Sequence, residues 1–160
     1  MPGRSFLGPL QTLANHRVEF IVVDGVAEVL LGVPYNTFDL DLVHSREPAN
    51  IARLLGALAE LDAVYRYRRE FRPDASHLLS AGHQLLHTRF GSLDLLGSIG
   101  DRRDYADLFK HSPEMALGPA LTVRVLDLET QIVIKEQLAG DKDKLILPLL
   151  RRTLEESRKA

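Results

Sequence analysis

The chain of 160 residues contains no cysteine, which removes disulfides and thiolate zinc sites from consideration. It also lacks a strong excess of either charge. Lysine and arginine total 20 against 22 acids, a net −2 at pH 7. Nothing global therefore draws it to nucleic acid or membrane, and any such contact needs a local patch. No apolar run reaches the roughly 20 residues that a membrane-spanning helix requires. The opening residues, Met1-Pro2-Gly3-Arg4-Ser5-Phe6-Leu7, lack the apolar core of a signal peptide, so a cytoplasmic location without membrane contact is the default expectation. Internal repeats and low-complexity segments are missing too. What remains is an ordinary globular composition, 45% hydrophobic and 26% charged, expected to form one domain over residues 1–160 with a real core.

Hydrophobic periodicity sets out the elements. Residues 5–16 read as a short helix with Phe6, Leu10 and Leu13 on one face. The β-branched run Val18 to Val23 is a buried strand that enters a tight turn at Asp24-Gly25. A short helix from Val26 to Leu31 follows, with Gly32 as its stop. A strand is expected at about 37–43, and a helix from Pro48 to Leu61 buries Ile51, Leu54, Leu55, Leu58 and Leu61. Residues 62–82 are ambiguous except for a helical piece at 75–80. Segments 84–89 and 92–96 flank Phe90-Gly91 as a hairpin. Further elements are a helix at 104–110, a strand at 121–126, and a helix at 128–139 capped by Asp127 and ended by Gly140. The last helix starts at Asp141, and Pro148 should kink or restart it. The expected fold is α/β, a mixed sheet with helices packed on one side, its core at 17–126 and C-terminal helices at 127–158.

The chemistry concentrates in Thr37-Phe38-Asp39-Leu40-Asp41-Leu42-Val43. On a strand, Asp39 and Asp41 point to one face, about 7 Å apart by backbone repeat, while Phe38, Leu40 and Leu42 point to the other. Acids set in an apolar strand call for a neutralising cation. Asp94, in Gly91-Ser92-Leu93-Asp94-Leu95-Leu96, is a third strand acid. Were its strand to neighbour that of Asp39 and Asp41, the three would repel one another unless a cation sat among them. Mg²⁺, which takes carboxylate oxygens together with substrate phosphates, suits such a cluster and points to phosphoryl or nucleotidyl transfer. The bland reading has one or more of these acids capping a turn or pairing with an arginine.

Phe20-Ile21-Val22-Val23-Asp24-Gly25 followed by a short helix and then Thr37-Phe38-Asp39-Leu40-Asp41-Leu42 resembles the DNA polymerase β-like nucleotidyltransferase superfamily. The likeness is to its small bacterial members, the minimal nucleotidyltransferases and the toxin-type enzymes of abortive-infection systems. It continues through Arg89 to Leu95 and the region of Lys135 and Asp141 to Asp143. The resemblance implies a nucleotidyltransferase-like fold and a catalytic set of Asp39, Asp41 and Asp94 that holds Mg²⁺ or Mn²⁺ and activates an acceptor hydroxyl. It implies that Gly25 and the amides after it cradle the phosphates of a nucleoside triphosphate, with Lys135 reaching the same cleft. A solvent-exposed Lys135 on an amphipathic helix is the competing reading. The acceptor would be protein, RNA or a small molecule. Pairing through exposed sheet edges, as a homodimer or with a toxin–antitoxin partner, belongs to the same expectation.

One position departs from the family pattern. Asp24 stands where the first glycine of the turn is usual. Aspartate tolerates left-handed backbone, yet its carboxylate repels phosphate. Asp24 then points away, recruits a metal, or weakens the nucleotide site; in the last case the chain is a catalytically weakened, nucleotide-binding or antitoxin-like protein. Two further features carry an expectation. Tyr65-Arg66-Tyr67-Arg68-Arg69 with Arg72 is a basic, aromatic-interleaved patch that reads as a solvated helix face or a contact for RNA or triphosphate. His87 faces Asp94 across the hairpin if its turn is Phe90-Gly91, and Arg89 does so if the turn shifts.

Overall fold

The structure is a computed structural model that describes residues 6–138 and 140–159. A seven-stranded mixed sheet organises it, in the order β3-β4-β5-β2-β1-β7-β6. The central strands are β1 (Phe20–Val23), β2 (Leu40–His44) and β5 (Gly91–Leu96). β1 runs antiparallel to β2, and β2 runs parallel to β5. On one side β4 (His83–Thr88) and the two-residue β3 (Val64–Tyr65) extend the sheet; on the other, β7 (Thr122–Val125) pairs parallel to β1 and carries β6 (Glu114–Ala116) at the edge. Asp41 and Asp94 thus belong to the middle of a seven-stranded sheet.

Period-two alternation divides the central strands between two cores. Phe20, Val22, Leu40, Leu42, Leu93 and Leu95 enter the larger core. It is covered by α1 (Leu7–Asn15), α3 (Pro48–Glu60) and α4 (Ala75–Leu79), through residues such as Leu13, Leu54 and Leu78. Ile21, Val23, Val43 and Leu96 face the other way, against Leu108 of α5 (Tyr105–Phe109) and Ile134 of α6 (Leu128–Leu138). Helices therefore lie on both faces of the sheet, not on one. The alternating apolar residues in β1, buried throughout, are the cause: a strand with no polar face needs cover on both sides.

Local signals explain most element boundaries. α3 begins with Pro48 at its first position, where the missing N–H costs nothing. Asp74 and Asp104 cap α4 and α5 through reciprocal capping boxes with His77 and Asp107. The Asp127 carboxylate accepts the Thr130 N–H at 2.8 Å and starts α6. Ala139, the expected last residue of that helix, lies outside the described residues. The final helix, α7 (Asp141–Lys159), continues through Pro148 as a single element. Burial of Leu147 and Leu150 on either side of the proline, against Val33, Leu128 and Ile132, holds the helix where backbone preference alone would interrupt it.

Two strand details depart from expectation. The hairpin turn is Arg89-Phe90, because Thr88 pairs with Gly91, whose φ is +115°. Leu85 therefore stands opposite Asp94 and His87 opposite Ser92, so neither His87 nor Arg89 faces the acid. The segment rich in tyrosine and arginine is β3 and a turn, not a helix face. The short edge strands β3 and β6 carried no pattern long enough to read.

Candidate functional site

The register places the acids together. In the parallel pairing of β2 and β5, Asp41 lies beside Asp94, and across the antiparallel pairing it lies opposite Val23, the residue before Asp24. Both acids therefore project from the face that carries the smaller core. β2 begins at Leu40, so Asp39 precedes the strand and is exposed, but it lines the same cleft as Asp41. This cleft has a volume of about 590 Å³ and is also lined by Asp24, Gly25, Lys135 and Lys142. Asp94 is not part of its lining. One of its oxygens is held by Nη2 of Arg66, and the two side chains are only 15% and 17% exposed.

The Asp41 carboxyl is pushed up to about 8. Burial is the main cause, followed by the charge of Asp24, a hydrogen bond with Asp94, and the charges of Asp94 and Asp39. Burial alone would lower the pKa of Arg66, but its hydrogen bond and ion pair with Asp94 more than offset this and raise it. Arg66 also donates to the Leu86 carbonyl at 3.1 Å, while its Nε is buried without a partner. Replacing it with glutamine leaves a mostly buried carboxylate without its counter-charge. We expect Arg66→Gln to cost about 3 kcal/mol, read as a shift in the urea midpoint at unchanged slope.

On the other wall, Lys135 of α6 reaches three acids. Its Nζ lies 3.3 Å from Asp24, 3.6 Å from Glu28 and 3.8 Å from Asp143. Burial works against its charge, but Asp24 and Glu28 outweigh that and raise its pKa. Glu28, on α2 (Asp24–Leu30), is 1% exposed. The Tyr35 hydroxyl donates to its Oε1 at 2.6 Å, and its Oε2 accepts no hydrogen bond and faces Lys135. Burial raises the Glu28 pKa, against the pull of Lys135 and Tyr35. Asp24 takes the left-handed conformation, with φ 56°, that a glycine would otherwise supply. Its carboxylate neither turns away from the cleft nor faces it without a partner; it recruits a lysine.

Gly25 is fixed by close approach. A Cβ there would come within 2.3 Å of the Thr37 hydroxyl oxygen and 3.3 Å of the Tyr35 hydroxyl. Gly25→Ala should therefore displace the segment 35–38 that leads into Asp39 and cost about 2 kcal/mol in thermal or urea unfolding. A change below 0.5 kcal/mol would show that this segment does not pack as described.

Glu28, Tyr35 and Arg66 escaped the sequence reading. Glu28 was within reach of it: Asp24 and Glu28 are four residues apart and share a helix face. Arg66 was visible only as one member of a basic patch, and its role depends on the register of a two-residue strand. That patch divides in the structure. Arg66 turns inward, Arg72 binds Asp62 at 2.7 Å, and Arg68 packs over the Phe71 ring at 4.9 Å.

The donor set at the cleft leaves few protein ligands for a metal ion. Among the described residues, no group of three or more His, Asp or Glu side chains is placed to hold a metal ion. Asp39 and Asp41 remain at the cleft, and Mg²⁺ needs only one or two carboxylates when phosphates and water complete its shell. The cleft lining sets four acids, Asp24, Asp39, Asp41 and Asp143, against Lys135 and Lys142. A polyanion can enter such a lining only with cations of its own.

No protein-family model matches the sequence, and no curated protein is significantly similar to it. Among solved structures, a crystal structure from Thermotoga maritima, of a protein provisionally assigned as a nucleotidyltransferase, aligns with 94% of this chain and 90% of its own. The TM-score is 0.53 and the sequence identity 18%. Among the described residues no helix is long and apolar enough to cross a membrane. An identity of this size speaks for architecture alone: the chain has a nucleotidyltransferase-like α/β fold.

Proposed function

We propose that the protein is a Mg²⁺-dependent nucleotidyltransferase, moving a nucleoside monophosphate from a nucleoside triphosphate to a hydroxyl. The observation that carries this reading is the placement of Asp39 and Asp41 at one cleft with Lys135, and of Asp94 beside Asp41 in register. Asp39 and Asp41 would hold the cation, which would screen phosphate charge and orient the α-phosphate for attack. Mn²⁺ suits the same oxygens. Lys135 meets the phosphates released as pyrophosphate. The acceptor oxygen bonds to the α-phosphorus, the bond from that phosphorus to the bridging oxygen breaks, and Asp94 accepts the hydroxyl proton. The acceptor belongs to one of three classes: protein, RNA or small molecule.

A second reading has two observations in its favour. Arg66 occupies Asp94, and three acids surround Lys135, as expected of a weakened relative that binds nucleotide or serves as an antitoxin-like partner. Labelled substrates separate the two. Nucleoside triphosphates carrying label at the α-phosphate or the γ-phosphate are incubated with Mg²⁺ and with the protein itself, bulk RNA or polyols as acceptor. Transfer of the α label with release of pyrophosphate supports the enzyme. Transfer of the γ label contradicts it, and nucleotide binding without any transfer favours the weakened relative.

A further inference from the structure

The departure at Asp24 and the buried cluster around Lys135 have a common explanation. Lys135 extends from α6 across to α2, and its side chain is only 14% exposed. From below it is met by Glu28, whose position is set by the Tyr35 hydroxyl. From the cleft side it is met by Asp24, whose side chain is 42% exposed and accepts a hydrogen bond from Nζ at 3.3 Å. A flexible four-carbon lysine gains little from a single surface ion pair. Held from two sides inside a cleft, it becomes a fixed positive charge and gives up its rotamer freedom before any ligand arrives. Residue 24 takes a left-handed backbone conformation, and from it the carboxylate lies within reach of Nζ.

We propose that Asp24 is a positioning residue: with Glu28 beneath, it holds the Lys135 ammonium in the cleft, ready for the terminal phosphates of a nucleoside triphosphate. In this chain a lysine held by Asp24 and Glu28 supplies part of the phosphate recognition that a glycine-rich turn provides through its amides. Asp24 therefore favours triphosphate binding in spite of its charge. The inference rests on the nucleotidyltransferase reading of the cleft and adds to it the selection of a triphosphate over a monophosphate.

The test is a double-mutant cycle on binding. Titration calorimetry with Mg²⁺ compares each nucleoside triphosphate, the matching monophosphate and inorganic tripolyphosphate. The proteins are the wild type, Asp24→Gly, Asp24→Asn, Lys135→Met, and Asp24→Gly combined with Lys135→Met. We expect Asp24→Gly and Lys135→Met each to weaken triphosphate and tripolyphosphate binding about tenfold while monophosphate binding stays within about twofold. The combined variant should lose no more than the Lys135→Met protein, because the two residues act as one unit. Asp24→Asn, which tolerates the same backbone and keeps an oxygen acceptor, should lie between wild type and Asp24→Gly. A general structural defect would weaken monophosphate and triphosphate alike, and that result overturns the proposal. So does tighter triphosphate binding by Asp24→Gly, or losses that simply add. A wild-type protein that binds none of these ligands overturns the nucleotide reading itself, and the proposal with it.

Discussion

Replacing Asp41 with asparagine should stabilise the free protein and abolish its magnesium-dependent nucleotide binding. The stability effect follows from the carboxyl's raised pKa, about 8 against an ordinary value of 3.8. An acid whose pKa is raised on folding binds its proton more tightly in the native state than in the unfolded chain. Its contribution is therefore most favourable below about pH 4, declines as pH rises toward 8, and is constant above that. Across that interval the slope approaches 1.4 kcal/mol per pH unit at most. Asparagine has no charge to desolvate and no like-charge neighbours to oppose. We expect Asp41→Asn to exceed the wild type by at least about 2 kcal/mol at pH 8.5, or roughly 4–8 °C in melting temperature. The gap should close as pH falls toward 5. Differential scanning calorimetry from pH 5 to 9 reads both. An unchanged or lowered melting temperature at pH 8.5 would mean that the acids do not crowd one another. A residue whose removal stabilises the fold is retained for activity, so the same measurement bears on function.

Leu42→Ala should have an effect of similar size and opposite sign. Leu42 follows Asp41 on the central strand, is fully buried, and faces the larger core with Leu40, Leu93 and Leu95. Removing three carbons there costs their transfer free energy and leaves a cavity between strand and helices that close packing does not fill. The expected loss is about 3–4 kcal/mol. Chemical unfolding should show a lower midpoint at unchanged slope. The two substitutions point to opposite faces of one strand, so the combined variant tests how the strand is held. If the two faces act independently, Asp41→Asn should restore about 2 kcal/mol to Leu42→Ala at pH 8.5. Failure of that rescue would show that the two faces are not independent.

That two-faced strand also explains how far the sequence could be read. Apolar residues alternating with Asp41 and Asp94 were legible because a period of two survives in any sheet. The fold class followed from the order of the elements, α3 from its first-position proline and apolar stripe, and α6 from the Asp127 cap. Three things were not legible. Asp39 precedes the strand because pairing begins at Leu40, which local pattern does not encode. The second helical layer was hidden because the continuous apolar run of β1 does not say which neighbour covers which face. Arg66 reaches Asp94, 28 positions away, across β4, which lies between β3 and β5, and register of that kind is set by tertiary packing rather than local preference. Lys135 was visible as a candidate, but the cluster around it joins Asp24 and Glu28 to Asp143, far apart in the sequence.

The site therefore combines two opposed arrangements, acids that need a cation and a lysine fixed by acids. On the proposed reading, both serve a triphosphate that arrives with magnesium. The most direct measurement is thermal unfolding with ATP, GTP, CTP and UTP, each at millimolar concentration, with and without Mg²⁺, for the wild type and for the Asp39→Asn, Asp41→Asn double variant. At 100 times its dissociation constant, a bound nucleotide adds about 2.7 kcal/mol. At least one nucleotide should therefore raise the wild-type melting temperature by roughly 5–10 °C with Mg²⁺ and by little without it, and the double variant should show no rise. No shift with any nucleotide, or a shift that survives loss of both carboxylates, would contradict the account.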